Sequence, residues 1–351
     1  MEKKTMECNK LGRRKAEHLE ISLQRDVEFK SVSTGFENYN FIHQALPESD
    51  LDEIDLSTVF WRKRLRAPIF ISSMVGGVEE AGFINRNLAQ AAQHLGVAMG
   101  VGSQRCAIED SAASSTFQVR DIAPDIMLCA NLGAVQLNYG WGVDECRRAV
   151  EMIGADALIL HLNPLQEALQ PEGNTRFSEL LKKIETVCRS LNVPVIVKEV
   201  SFGISESVAR KLAGAGVSGI DVAGAGGTSW SEVEKYRSGS ELNYKIAESF
   251  ESWGIPTAES IQMARRGAPD LPIIASGGIR TGLDVAKAIA LGSDAAGIAL
   301  PLLKAANTSA ESVITALKVI IDVLKIAMFC VGASDMDTLR KISLHFKYSR
   351  G

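Results

Sequence analysis

The chain of 351 residues is 46% hydrophobic and 23% charged, which suits a large buried core and excludes a disordered or fibrous protein. Its net charge of -4, with Lys and Arg scattered, offers no basic stripe and so excludes nucleic acid as the expected partner. The six cysteines form no CxxC pair and no zinc or disulfide spacing, so reduced, mostly buried thiols in a cytoplasmic protein are expected.

The first residues, Met1 to Glu7, are charged and lack the apolar stretch of a secretory signal. Residues 1–67 read as an N-terminal arm and crossing segment, with a helix around 14–22 and an acidic stretch at 48–55. On spacing alone, Arg14, Lys15 and His18 read as a solvated helix face.

From residue 68 to 351 one syntax recurs: a short β-branched run, a polar or glycine-bearing loop, then a helical pattern. The strands are expected at 69–73, 97–100, 126–130, 157–161, 194–198, 219–222, 272–276 and 295–299. Helices are expected at 79–95, 111–122, 143–153, 177–191, 205–213, 259–266 and 282–291, with Ser205 as an N-cap. Eight buried strands alternating with helices predict an α/β fold, a (β/α)8 TIM barrel with an N-terminal extension. A doubly wound open sheet is the competing architecture. The segment 224–241 is long for a connector and reads as a lid or binding loop. The apolar run 313–331 is broken by Lys318, Asp322 and Lys325 on one face, the pattern of an amphipathic helix and not a membrane span.

Polar residues gather where these strands end: Ser72-Ser73, Gly102-Ser103-Gln104-Arg105, Asn131, His161 with Asn163, Lys198-Glu199, Asp221, and Ser276-Gly277-Gly278. In a barrel those ends converge on one pocket. Gly277-Gly278-Ile279 after the seventh strand, and Ala299-Leu300-Pro301 opening a short helix after the eighth, form the pattern of a phosphate site. Lys198 calls for an anion, either a ligand or a salt bridge to Glu199 or Asp221. The segment His161-Leu162-Asn163-Pro164-Leu165-Gln166-Glu167 crowds hydrogen-bonding side chains onto the end of the fourth strand.

Taken together, Arg14-Lys15-Ala16-Glu17-His18, the Gly102-Ser103-Gln104-Arg105 turn, His161-x-Asn163-x-x-Gln166-Glu167, Pro171-Glu172-Gly173 and the paired glycines resemble the type 2 isopentenyl-diphosphate isomerase family. The resemblance runs through nearly the whole chain. It implies FMN, active in its reduced form, with NADPH as reductant and Mg2+ as partner of a diphosphate substrate. FMN would be held by Ser73, Met74, Val75, Ser103, Asn131, Lys198, Thr228, Gly277, Gly278, Ile279, Ala299 and Leu300. The diphosphate would meet Arg14, Lys15, Ser103, Gln104, Arg105, Asn163 and Gln166, and Glu167 would bind the metal. Gln166 and His161 are the implied catalytic side chains. A homotetramer or homo-octamer, with no nucleic acid and no membrane as partner, is implied as well.

Two positions depart from the family pattern. Val75 stands where a threonine is usual, and Ala223 where a hydroxyl residue is common, which removes two side-chain hydrogen bonds worth about 1 kcal/mol each. The rival readings are a non-catalytic FMN-binding scaffold and another FMN-dependent barrel oxidoreductase. A 2-hydroxy-acid oxidase would want a histidine base late in the chain, and the only histidine after His161 is His345. A purine-nucleotide dehydrogenase would want a cysteine after the sixth strand, where the chain reads Gly224-Ala225-Gly226-Gly227-Thr228.

Overall fold

A computed structural model describes residues 2–347, with side chains from residue 12 onward. Eight parallel strands close on themselves: β1 (Ile69–Ile71), β2 (Ala98–Gly100), β3 (Leu128–Gly133), β4 (Ala157–Leu162), β5 (Val195–Glu199), β6 (Gly219–Asp221), β7 (Ile273–Ala275) and β8 (Ala295–Ile298). The closing pair is β8 with β1, in the register Ala296 to Ile69, Gly297 to Phe70 and Ile298 to Ile71. The ring is the (β/α)8 barrel expected from the sequence, and its closure rules out the open sheet.

Each strand is covered on both faces, which is why it reads as a continuous apolar run and not as an alternation. Inside the barrel, Phe70, Met127, Cys129, Ile159, Ile196 and Ile274 form a cluster with Phe60 and Leu65. Those last two come from a hairpin, Thr58–Phe60 with Lys63–Leu65, that precedes the barrel in the chain. Its turn residues Trp61 and Arg62 take positive φ angles of 42° and 72°. The Trp61 indole donates to the Ser218 carbonyl at 3.1 Å, just ahead of β6. The hairpin therefore plugs the amino ends of the strands, and the carboxyl ends are left to carry the site.

Several elements differ from their predicted bounds for local reasons. The N-terminal helix spans Glu2–Gln24, longer than the predicted 14–22. Only Ser111–Thr116 of the predicted 111–122 helix is helical, and as a 3-10 turn. Asp110 accepts from the Ala112 N–H there, and the Ser- and Thr-rich run that follows competes for its own backbone. The 224–241 segment is not an open loop, because helix Trp230–Arg237 forms inside it and packs on the N-terminal helix. Ser205 caps helix Glu206–Gly214 by accepting from the Val208 N–H. Helix Ala310–Val331 buries Leu317, Leu324 and Met328 and leaves Lys318 and Asp322 exposed. Among the described residues no helix is long and apolar enough to cross a membrane.

The arm is laced to the barrel. Tyr39–Asn40 pairs with His345–Phe346, the Phe29 N–H donates to the Gly227 carbonyl, and the Ser229 N–H donates to the Val27 carbonyl. Cys106, Cys129, Cys146, Cys188 and Cys330 are free thiols; Cys8 lies outside the described side chains. Burial pushes the Cys146 thiol up to about 12, which leaves it inert.

Candidate functional site at the carboxyl mouth of the barrel

One cavity occupies the carboxyl mouth, and every strand contributes to its wall or to the loop beside it. Of the residues expected to act, Arg14, Lys15, Ser73, Met74, Val75, Ser103, Arg105, Asn131, His161, Asn163, Gln166, Glu167, Lys198, Thr228, Gly277, Gly278, Ile279, Ala299 and Leu300 all line it. Gln104 does not. It is fully buried, with its side chain directed to the Ala149 carbonyl and the Asn131 N–H.

One wall is built from β1, β7 and β8. The Ser72 and Ser73 hydroxyls, at the end of β1, are buried and have no hydrogen-bond partner. Gly277, at φ 101°, lies so close to the next loop that a Cβ would sit 2.0 Å from the Gly224 carbonyl oxygen, so only glycine fits. Helix Leu300–Ala306 follows β8, with Pro301 in its first turn and no side-chain cap. Arg280 closes this end through an ion pair with Glu28 of the arm. Buried hydroxyls without partners beside a backbone cradle are suited to a polar ligand that supplies the missing bonds.

The floor is set by β5, β6 and β7. Lys198 donates to the Glu199 carbonyl at 2.8 Å and lies 3.7 Å from Asp221 Oδ2, so the salt bridge considered from the sequence is present. Asp221 also accepts from the Ser276 hydroxyl at 2.5 Å. Burial raises the Asp221 carboxyl, and the Lys198 ammonium and Ser276 hydroxyl oppose the rise. Lys198 still faces the cavity and is available to a second anion.

On β3 and β4, Asn131 Oδ1 and His161 Nδ1 lie 2.9 Å apart. Burial, then the cations Lys198, Lys15 and Arg14, push the His161 imidazole down to about 3, so it stays neutral. With Asn131 Oδ1 accepting, the ring proton sits on Nδ1.

The adjoining wall is cationic. Arg14 and Lys15 project from the N-terminal helix, and Arg105 from the turn after β2. Lys15 Nζ donates to the Ser103 carbonyl at 2.5 Å and sits over the Phe117 ring. Burial lowers both Arg14 and Lys15, with Arg105 adding like-charge repulsion to each. Neither forms an ion pair among the described residues, whereas Arg105 pairs with Glu109 at 2.9 Å. Two half-buried cations without a salt-bridge partner, Arg14 with only the longer-range field of Glu167 and Glu172, are suited to a bound anion.

Between the walls lies the segment after β4. Pro164 opens helix Pro164–Leu169, which lifts Gln166 and Glu167 over the mouth. Asn163 stands at the N-cap position but its side chain does not cap; its Nδ2 donates to Gln166 Oε1 at 3.0 Å and Glu167 Oε1 at 3.1 Å. Asn163 Oδ1 is buried without a partner. Glu167 Oε2 accepts from the Asn174 N–H at 2.5 Å, which fixes the carboxylate. The described residues hold no group of three His, Cys, Asp or Glu side chains placed to hold a metal ion.

Sequence reasoning missed the layer behind Gln166. Its Nε2 lies 3.4 Å from Glu234 Oε1, and the same oxygen lies 2.9 Å from His18 Nε2. Arg237 donates to Glu234 Oε2 at 2.7 Å and also reaches Glu172 and Glu17. The solvated-face reading of Arg14, Lys15 and His18 is overturned, because helix Trp230–Arg237 packs on His18 while the Ser103 turn and Phe117 enclose Lys15. The one available signal was the Glu234-x-x-Arg237 spacing inside a segment that read as a loop. Trp230 meets the His18 ring edge-on at 5.0 Å and lines the cavity. His345 pairs with Asn40 and is exposed; it does not line the cavity.

Known proteins agree with this geometry. A family described as FMN-dependent dehydrogenase matches residues 162–345. The barrel superposes on mandelate oxidase bound to (S)-2-phenylpropionate with a TM-score of 0.65 at 18% identity, covering 97% of this chain and 98% of that one, a likeness of fold. Much nearer are proteins named isopentenyl-diphosphate delta-isomerase. The one from Nostoc sp. is 53% identical over 327 residues, 93% of each chain. That from Rickettsia felis is 51% identical over 331 residues, 94% of this chain and 96% of the relative. That from Stutzerimonas stutzeri is 51% identical over 340 residues, 97% and 98%. With half-identity sustained over nearly its full length, on a barrel of the FMN-dependent dehydrogenase kind, the chain belongs to the isopentenyl-diphosphate delta-isomerase family.

Proposed function

We propose that this protein converts isopentenyl diphosphate to dimethylallyl diphosphate, with FMN kept reduced by NADPH and Mg2+ bound beside the diphosphate. The observation that carries the reading is that one cavity is lined by two sets of groups: Arg14, Lys15 and Arg105 with the Glu167 carboxylate, and the unpartnered Ser72 and Ser73 hydroxyls with the Gly277-Gly278 cradle.

The residues present fit both implied groups. For FMN, the orphaned Ser72 and Ser73 hydroxyls would supply donors, and Lys198, Thr228 and the backbone at Gly277 to Ile279 and Ala299-Leu300 line the same cavity. Val75 lacks a hydroxyl, but its carbonyl already accepts from Gly102 and Asn85, so the strand end is held without one. For magnesium, the Glu167 carboxylate would supply hard oxygen. When bound, reduced FMN supplies a planar, electron-rich surface able to stabilise a cationic alkene and exchange protons without net redox change.

The protein's own part follows from its charges. Arg14, Lys15, Ser103 and Arg105 bind the diphosphate, and Glu167 places the metal on its oxygens. Trp230 and Leu19 keep water from the apolar tail. Gln166, held by Asn163 and Glu234, would be oriented above the reacting carbons, where a proton taken up on its Oε1 would be matched by one released from Nε2 to Glu234 Oε1. The arm of residues 1–67 completes the site over the barrel of 68–351. An assembly of four or eight subunits in the cytoplasm accords with the reading.

Anaerobic incubation of the reduced holoprotein with isopentenyl diphosphate and Mg2+ tests it. Formation of the allylic isomer is expected. Bound FMN with no isomer would favour the non-catalytic scaffold, and oxygen-dependent turnover of a 2-hydroxy acid would favour an oxidoreductase.

A further inference from the structure

Gln104 follows the end of β2 and is 0% exposed. The β2–β3 ladder runs through Met99 to Leu128 and Gly100 to Cys129, after which β2 has ended. Two residues further along β3, both main-chain groups of Asn131 are nonetheless satisfied on that side. The Gln104 N–H donates to the Asn131 carbonyl at 2.9 Å, and Gln104 Oε1 accepts from the Asn131 N–H at 2.9 Å. The far end of the amide, Nε2, donates to the Ala149 carbonyl at 2.9 Å on helix Val143–Ile153. Turning the amide over would set donor against donor at Asn131 and acceptor against acceptor at Ala149. One side chain thus replaces a missing strand residue, and its orientation is fixed at both ends.

Asn131 then turns its own Oδ1 to His161 Nδ1 at 2.9 Å, and both side chains line the cavity. We propose that Gln104 is a positioning residue: by standing in for the ended strand it holds Asn131 against His161 Nδ1–H, so that His161 Nε2 is presented to the site as a hydrogen-bond acceptor. An acceptor cannot serve a diphosphate oxygen, which also only accepts. His161 is therefore assigned to a donor group on the bound cofactor, and not to the diphosphate. The kinetic consequence rests on the isomerase reading; the tautomer does not.

The test is nitrogen-15 NMR of the holoprotein labelled at histidine, with His161→Asn identifying the His161 signals. In the unaltered protein His161 should be neutral with its proton on Nδ1 at pH 7. A proton on Nε2, or a charged ring, would overturn the proposal without any Gln104 variant. Gln104→Leu, which loses both ends of the amide, should give mixed tautomers and a changed flavin absorption spectrum. Gln104→Glu should restore the Nδ1–H form, because a buried carboxylic acid keeps the acceptor towards Asn131 and an O–H donor towards Ala149. In the isomerase assay Gln104→Leu should lower kcat by about tenfold with KM for isopentenyl diphosphate unchanged, the scale of loss for partners that orient a working histidine. A raised KM with unchanged kcat would place Gln104 on the diphosphate and overturn the assignment. If the protein shows no isomerase activity at all, the tautomer measurement still decides the role of Gln104.

Discussion

His18 Nε2 lies 2.9 Å from Glu234 Oε1, joining the N-terminal helix to the helix that follows β6 across 216 positions of sequence. The contact makes the arm part of the site. It places Arg14 and Lys15, one turn earlier on the same helix, in the cationic wall of the cavity, and it holds Glu234 against Gln166. Burial lowers the His18 imidazole, with Glu234 opposing, while His18 and Arg237 hold the Glu234 carboxyl below its usual range against the effect of burial.

Glu234 is the residue on which this joint depends. Its side chain is fully buried and Arg237 is 8% exposed, so Glu234→Gln leaves a buried guanidinium short of one counterion. Glu172 and Glu17 still reach Arg237, and the loss should be about 2 kcal/mol, the scale of a hydrogen bond to a charged group. Urea unfolding of the holoprotein should show the midpoint fall. Turnover in the folded enzyme should fall too, because Gln166 loses its anionic partner. Unchanged turnover would remove Glu234 from the proton path.

Gln166 and Glu167 are neighbours with different work, and their variants should separate. Glu167→Gln removes the charge proposed to hold magnesium and, with one carbonyl oxygen in place of two, keeps only one of the bonds from Asn163 Nδ2 and the Asn174 N–H. A loss of about 3 kcal/mol of transition-state stabilisation, roughly 100-fold in turnover, is expected, with saturation displaced to much higher Mg2+. Gln166→Asn shortens a reach to Glu234 that is already 3.4 Å. Its turnover should fall with the Mg2+ dependence unchanged. Initial rates over a magnesium titration distinguish the two, and identical shifts in both would contradict the division.

Much of this was legible in the sequence because barrel strands are buried on both faces and so stand out as short apolar runs. The polar residues after them, from Ser73 to Leu300, fell on one mouth because eight strand ends must converge. What was not legible depended on contacts distant in sequence. Arg14, Lys15 and His18 have the spacing of a solvated helix face, and only the docking of distant elements, Trp230–Arg237 on His18 and the Ser103 turn with Phe117 on Lys15, turns that face inward. Gln104 sits between two cavity residues, Ser103 and Arg105, and nothing local says that its side chain is used by β3 instead. The hairpin plug was hidden for a related reason, since Phe60 and Leu65 find their core only inside a barrel formed by later residues.

At the closed end, two matching clamps should govern stability without touching catalysis. Arg120 binds the Gly154, Ala123 and Ile126 carbonyls and Asp156 at 2.8 Å, while Asp156 accepts from the Leu128 N–H. Arg265 binds the Gly292, Pro269 and Leu271 carbonyls and Asp294 at 2.6 Å, while Asp294 accepts from the Ile273 N–H. The first ties β3 to β4 and the second β7 to β8, half a barrel away. Asp156→Ala and Asp294→Ala should each cost about 2 kcal/mol through the lost arginine bond, a second ion pair (to Lys63 and to Arg340 respectively) and one strand N–H left unpaired. Chemical unfolding should show both losses, and kcat of the folded enzyme should not move, because this face is far from the mouth.

Acid sensitivity should report on His161. A histidine whose folded value is pushed down to about 3, against about 6.5 unfolded, binds its proton more readily in the unfolded chain. The neutral form therefore favours the fold at high pH, and that advantage is lost as pH falls from about 6.5 towards 3. Between pH 7 and pH 5 the loss from this one group should be about 2 kcal/mol. His18, also lowered by burial, acts in the same direction, so the wild-type slope alone does not isolate His161. The comparison that does is His161→Asn, which removes one titrating ring and leaves His18 in place. Urea midpoints at pH 7 and pH 5 should fall less steeply in the variant than in the wild type, and equal slopes would mean that His161 is not held neutral by burial.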